Sequence, residues 1–252
     1  MMKKNCVLLF CSAVSHLAHA QTPSMWMPEG STDIDLGIAA LIAPDYEGSN
    51  KQKFYLAPFV SVAWSNGVFL TPGEIGFHLP SPSHIQYGPL LNYEWQPRSP
   101  DRHPSPLLTL TPGAYLNYRI DHNLGFRSRL DYSTSAQHSG IRLNLASWFR
   151  MSLAPHYSVS TEAGLSLANH RYMQSYFGVS SEQAISDHLT VYTAKAGIKN
   201  TYLQIGWNAE LSPKYELFAR ININRLGGNA ANSPFTTKAT TVSLLTALMY
   251  HY

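Results

Sequence analysis

Alternation of apolar and polar side chains, repeated over segment after segment, is the feature that most restricts what this chain can fold into. A period of two places successive side chains on opposite faces of an extended strand. Across residues 124–132, 140–151, 157–168, 202–211 and 215–224, one face carries no charge at all. That face includes Phe126, Leu130, Tyr132, Ile141, Leu143, Leu145, Phe149, Leu165, Leu203, Ile205, Trp207, Leu217 and Ile221. The other face carries Arg127, Arg129, Asp131, Arg142, Arg150, Glu162, Glu210, Glu216 and Arg220.

Two architectures alternate in this way. A soluble sandwich buries its apolar face and covers the outer one with charge. Here charged residues are only 13% of the chain, against about 25% in an ordinary soluble domain. A transmembrane barrel has the opposite arrangement, with the apolar face on lipid, where an arginine at mid-depth costs ~2–4 kcal/mol. No run of eighteen apolar residues occurs, which excludes a helical membrane bundle. The reading is an all-β, antiparallel, up-and-down transmembrane barrel.

The first twenty residues read as a secretory leader. Met1-Met2-Lys3-Lys4 is a basic start, 6–17 is a short apolar stretch, and Ala18-His19-Ala20 is a cleavage signal before Gln21. The expected division is a signal peptide at 1–20 and the barrel at 21–252. Both cysteines, Cys6 and Cys11, leave with the leader, so no disulfide or thiol chemistry is expected afterwards. Loss of Lys3 and Lys4 reduces the formal charge from +3 to +1. A near-neutral chain has no electrostatic footprint for nucleic acid.

Strands are counted from their connections, since bacterial barrels have short periplasmic turns, longer outer loops and an even strand number. Tight connections fall at Ser65-Asn66-Gly67, Asp121-His122-Asn123, Ala154-Pro155-His156 and Ser212-Pro213-Lys214. Longer polar ones cover 43–52, 96–106, 133–139, 170–193 and 226–238. Asn66-Gly67 suits a type I′ hairpin. Residues 68–79 decide the total: two short strands folded at Thr71-Pro72-Gly73 give twelve, and none gives ten. Twelve is the expectation, with both termini periplasmic. Val242, Leu244, Leu248, Tyr250 and Tyr252 continue the alternation to an aromatic last residue. Pro58, Pro89 and Pro112 fall inside the expected strands, where proline removes a ladder hydrogen bond, so they belong at bulges or rims.

Catalytic and metal patterns are sparse. His138-Ser139 is the one adjacent histidine–serine pair in a loop setting, yet neighbours on a strand point to opposite faces and no third orienting group accompanies them. His78, His84, His103, His122 and His156 are scattered through turns and strand ends without ligand spacing. No enzyme, metal or cofactor is expected. The inward charges leave two readings open: a self-neutralising network that plugs the lumen, or a narrow anion-preferring pore lined by Arg127, Arg129, Arg142, Arg150 and Arg220. Eight-stranded barrels are filled by side chains and those of 16–18 strands leave a channel; twelve lies between.

Three loop stretches carry a family resemblance. They are Ala43-Pro44-Asp45-Tyr46-Glu47-Gly48-Ser49, then Tyr176-Phe177-Gly178-Val179-Ser180 with Gln183-Ala184, and Leu226-Gly227-Gly228-Asn229-Ala230-Ala231-Asn232-Ser233-Pro234. In order and spacing they resemble the MipA/OmpV family, the MltA-interacting proteins of the outer membrane. The resemblance implies a Gram-negative outer-membrane barrel in contact with outer-membrane lipid. It further implies a scaffold joining a lytic transglycosylase to a murein synthase, while some relatives are porin-like. The loop positions it singles out as contacts are Asp45, Tyr46, Glu47, Tyr176, Phe177, Asn229 and Asn232. Asn229 and Asn232 stand where the family commonly has aspartate, which removes charge that could hold a cation.

Overall fold

The computed structural model describes residues 27–95, 108–134 and 139–252; the expected leader, His103 and His138 lie outside them. Among the described residues twelve strands follow one another: β1 (Thr32–Pro44), β2 (Gln52–Trp64), β3 (Val68–Thr71), β4 (Glu74–Phe77), β5 (Ile85–Trp95) and β6 (Leu108–Arg119). They continue with β7 (Leu124–Thr134), β8 (Ser139–Ala154), β9 (Tyr157–Ala168), β10 (Gly197–Ser212), β11 (Tyr215–Leu226) and β12 (Thr240–His251). Each pairs with its chain neighbours and β12 pairs with β1, closing the barrel. Residues 68–79 form two four-residue strands. Pro72 and Gly73 turn the corner between them, with Gly73 at φ +101°, where a side chain would be strained. The Ser65–Gly67 connection differs from expectation. Only Gly67 has positive φ, so it resembles the three-residue hairpin loop with a glycine in the left-handed region, not a type I′ turn. β1 begins and β12 ends at one end, the terminal mouth; the described longer connections, 45–51, 169–196 and 227–239, lie at the other, the loop mouth.

Ladder register turns the sequence alternation into a lipid-facing belt. Leu217 lies opposite Leu248, Ile221 opposite Leu244 and Ile223 opposite Val242, and all six side chains are exposed or half-buried on the outside. Aromatic rings collect toward the terminal mouth, where Tyr157 stacks on Trp207 at 6.2 Å and Tyr215 meets Tyr250 at 5.3 Å. Such rings mark the interfacial girdle of a membrane barrel.

The β3–β4 hairpin reaches only part of the way up the wall. β3 pairs with β2 at Val62 and Ala63 alone, and β4 pairs with β5 only from Leu90 to Asn92. Above the hairpin, residues 52–61 of β2 have no ladder partner on that side among the described residues. The phase of each ladder places the prolines. The Ser31–Ser65 and Asp45–Lys51 bonds set the phase of the β1–β2 ladder, so odd-numbered residues of β2 bond to β1 and even-numbered ones turn away. The nitrogen of Pro58 therefore faces the seam, the side of β2 left without a ladder partner above the hairpin. By the same logic the Ile120–Leu124 bond points the nitrogen of Pro112 at β7, one step beyond the last rung, Gly113–Asp131. Pro89 follows the Gly76–Leu90 rung of the β4–β5 ladder and faces β4. Pro58 and Pro112 thus fall where a ladder has already ended, the positions at which proline costs least. Pro89 instead interrupts one: the bonds Tyr93–Gly73 and Leu79–Tyr87 flank it, and the Phe77 carbonyl opposite accepts from the Tyr115 hydroxyl at 3.3 Å.

The core lies inside the barrel, toward the loop mouth. Leu41, Tyr55, Ala57, Phe59, Phe218, Leu245 and Ala247 pack into one buried cluster on the β11–β12–β1–β2 side. Three short helices sit at the same mouth: α1 (His170–Phe177), α2 (Ser181–Asp187) and α3 (Gly228–Ala231). The first two occupy the stretch read above as a long polar loop. The side chain of Asn169 caps α1 by accepting from Tyr172 N, and Ser180 with Gln183 forms a reciprocal capping box on α2, each satisfying donors a helix start leaves open.

Candidate functional site

The three loop motifs meet in one assembly over the loop mouth. Tyr172, Met173, Phe177, Ala194, Leu226 and Ala230 form its buried apolar centre, and the Tyr172 and Tyr176 rings stack at 4.3 Å. The Ser233 hydroxyl donates to the Phe177 carbonyl at 2.7 Å, and the Tyr192 hydroxyl to the Asn229 carbonyl at 2.9 Å. The Gly48 carbonyl accepts from the amides of Thr237 and Lys238, both at 2.9 Å. Lys199 is buried and reaches both oxygens of Glu47 at 2.8 and 2.9 Å. Asp45 pairs with Lys53 at 2.5 Å. The Tyr46 carbonyl accepts from Ser49 N at 3.0 Å. Phe177 is only 3% exposed, so this expected contact residue holds the cap together and is not presented to a partner. Asn232 is exposed. Ser139 accepts from Arg171 at 2.8 Å.

Beneath this cap lies a buried ionic network. Arg129 donates to Glu74 at 2.6 Å and to Asp131 at 3.0 Å, and Arg142 reaches the other oxygen of Asp131 at 2.8 Å. Asn92 and Asn144 add donors to the same carboxylate at 2.9 and 3.3 Å. Arg142 also leans toward the Tyr172 hydroxyl at 3.5 Å, linking network to cap. Glu74 has no exposed surface and Asp131 retains 2%. Charges at this depth persist only when paired and hydrogen-bonded. Among the described residues, this network and the apolar cluster across the lumen are the buried groups of the loop-side half of the barrel.

The terminal half is open. A cavity of about 710 Å³ is lined by inward residues from the terminal ends of the strands and by the turn residues His122 and Pro213. At its floor Arg127 pairs with Glu162 at 2.7 Å, and the Tyr202 hydroxyl donates to the same carboxylate at 3.0 Å. Arg220 and Phe218 also line it. Nearer the mouth His251 bridges Asp35 at 2.6 Å and Glu216 at 3.3 Å. His156, at φ +71°, contacts Glu210 at 3.1 Å. Its described lining reaches inward as far as Phe59, Arg127, Glu162 and Arg220, with the ionic network and the apolar cluster beyond them, so it has the form of a cup.

The structure sorts the nine inward charges expected from the sequence into two places. Arg129, Asp131 and Arg142 belong to the buried network. Arg127, Arg150, Glu162, Glu210, Glu216 and Arg220 line the cup. The five arginines therefore do not form one continuous lining. Glu74, Asp33, Asp35 and Arg119 escaped the sequence reading. Glu74 sits in a strand too short to show a period. Asp33 and Asp35 belong to a strand whose polar side is otherwise small and apolar residues: Gly37, Ala39, Leu41 and Ala43. Outside the membrane-spanning strands, His78 packs on Phe69 with ring centroids 4.6 Å apart and shares a hydrogen bond with the Tyr115 hydroxyl. Burial lowers its pKa to about 4. No cluster of three or more histidine, cysteine or acidic side chains able to hold a metal occurs among the described residues.

Comparison with known proteins returns a family and a fold. A family model described as MltA-interacting protein MipA matches residues 36–252. No curated protein matches the chain. Among solved structures, a bacterial polysaccharide outer membrane secretin is 10% identical, with 87% of this chain and 98% of that one covered at a TM-score of 0.51. The NanC porin is 11% identical, with 87% and 99% covered at 0.46. The COG4313 outer membrane channel of Pseudomonas putida F1 is 10% identical, with 90% and 97% covered at 0.46. At such identities the likeness extends to the barrel fold alone.

Proposed function

The chain belongs to the MltA-interacting protein MipA family, and from that premise we propose that it is a non-enzymatic scaffold of the outer membrane whose working face is the terminal mouth. The exposed apolar belt contacts outer-membrane lipid, and both termini lie in the periplasm. The observation that carries this reading is the uneven lumen. Its loop-side half holds an apolar cluster and a paired ionic network, while the terminal half opens into a cup of about 710 Å³. A lumen blocked by those groups does not serve as a pore. The short terminal turns offer little flat surface, but a recess gives a partner something to enter. The family description names an interaction with MltA, and the resemblance noted above adds a lytic transglycosylase and a murein synthase as the partners to be joined.

The test is site-specific photocrosslinking in intact cells. A crosslinker at His122 or Lys214, in exposed turns of the terminal mouth, should capture the transglycosylase. The same group at Asp187 or Asn232, exposed at the loop mouth, should not. Capture from the loop mouth alone would overturn the reading.

A further inference from the structure

We propose that the terminal cup binds a short zwitterionic peptide, its carboxylate on an arginine wall and its amino group on an aspartate wall. The proposal begins from a contrast between the two halves of the lumen. In the loop-side half the arginines are paired within 3.0 Å of a carboxylate. In the cup, Arg119, Arg150 and Asp33 line the cavity, yet none of the three makes an ion pair among the described residues. Glu216 acts on Arg150 and His251 on Asp33 only from beyond contact distance, so these are the charges a ligand can complete with a direct hydrogen-bonded partner.

Their placement has a direction. Arg119, Arg127 and Arg150 stand on the neighbouring strands β6, β7 and β8. Asp33 and Asp35 stand on β1, which lies six strands away in the ring of twelve and therefore directly across the lumen. Glu216 on β11 extends the acidic side, and His251 on β12 sits between it and Asp35 as a basic partner. The cup is thus close to neutral in total but uneven. Arg119, Arg127 and Arg150 stand together on β6–β8, and the acids Glu162, Glu210, Glu216, Asp33 and Asp35 follow from β9 round to β1. Arg220 on β11 is the one arginine among the described residues lining that acidic arc. A simple anion meets the acidic wall, a simple cation meets the basic one, and only a ligand carrying both charges satisfies both.

Size narrows the class. Twelve strands spaced by about 4.8 Å and tilted by about 40° give a ring roughly 24 Å across between backbones. Side chains reaching in from both walls leave roughly half of that between the charged heads. An extended tetrapeptide, at about 3.3 Å per residue, spans such a gap from amino to carboxyl end. A cavity of about 710 Å³ falls within the range of small-ligand pockets. Trp148 lines the same wall as Arg150 and supplies a fluorescence reporter. A ligand held there does not require a protein partner at the mouth, so the scaffold reading can fail while this one stands.

The experiment titrates tetraalanine into the full-length barrel, folded in detergent, by calorimetry and by Trp148 fluorescence. Tetraalanine with both ends free should bind, and binding should weaken with added salt. N-acetyl-tetraalanine and tetraalanine amide, each lacking one charge, should bind at least tenfold more weakly. Arg119→Gln and Asp33→Asn should each lower the affinity for the free peptide by a similar factor, whereas Arg171→Gln at the loop mouth should leave it unchanged. The capped peptides are tested on unmodified protein, so a folding defect in a variant cannot imitate the result. No binding of the free peptide at millimolar concentration, or equal binding of free and capped forms, would overturn the proposal.

Discussion

An arginine placed at Ile205 and one placed at Gln204 should differ sharply in cost, although the two residues are neighbours on β10. Ile205 is 41% exposed on the outer face, between Thr161 and Ile221 on the two flanking ladders. It lies one outward position inside Trp207, which stacks on Tyr157 in the aromatic girdle. An arginine on lipid costs ~2–4 kcal/mol at the midplane and falls toward zero at the interface, so about 2 kcal/mol is expected one step in from the girdle. Gln204 lines the cup and is the ladder partner of Glu162. An arginine there stays wet and gains an acidic neighbour, so its cost should be under about 1 kcal/mol. The analogous pair on β8 is less useful. Leu143 faces lipid between Leu130 and Leu167, but Asn144 donates to Asp131 and accepts from Ser166, so an arginine there would disrupt the buried network. The assay is denaturant unfolding of both β10 variants in lipid vesicles, followed by tryptophan fluorescence. Equal destabilisation by the two substitutions would refute the register and the barrel built on it.

Asp131→Asn should destabilise the barrel by about 3 kcal/mol, because it removes one of the two carboxylates that hold the buried Arg129; a loss below 1 kcal/mol in the same unfolding assay would mean the network contributes little. His78 titrates near 6.5 when unfolded but is held neutral by burial down to about 4, so the unfolded chain binds more protons between those values. Stability should therefore fall as pH drops from about 6.5 to about 4, and His78→Phe should reduce that slope in thermal melts taken across the window. Pro58→Val adds a backbone donor that faces the seam beside β2, so stability should not increase; a gain of about 1 kcal/mol, the worth of a new ladder bond, would show that a strand pairs there.

Much of this fold was legible because lipid punishes charge on one face of every strand. That single constraint wrote Arg127, Glu162 and Glu216 onto the inward face, and the turn residues Thr71-Pro72-Gly73 announced a hairpin. Its half height was not legible, since four residues carry no period, and Glu74 was missed with it. The helices at 170–177 and 181–187 were read as loop, although Asn169 and the Ser180/Gln183 pair were present as capping signals. The prolines made no sense in a closed barrel until the phase of each ladder showed which way every nitrogen points. Alternation tells the inside from the outside of a strand, but not its height or the strand across the ring. Whether Arg129 is buried against Glu74 or Arg150 borders open space depends on closure, and no local pattern reports that.

The account rests on a lumen that is filled in one half and open in the other, and single-channel recording in planar bilayers tests it most directly. The purified barrel, shown to be folded by its heat-shifted gel mobility, is inserted and held at potentials of both signs. Obstruction by Leu41, Leu245 and the Glu74–Arg129–Asp131 network predicts a silent membrane, with steps emerging only when that network is cut. Stable ohmic steps from the unmodified protein would contradict it.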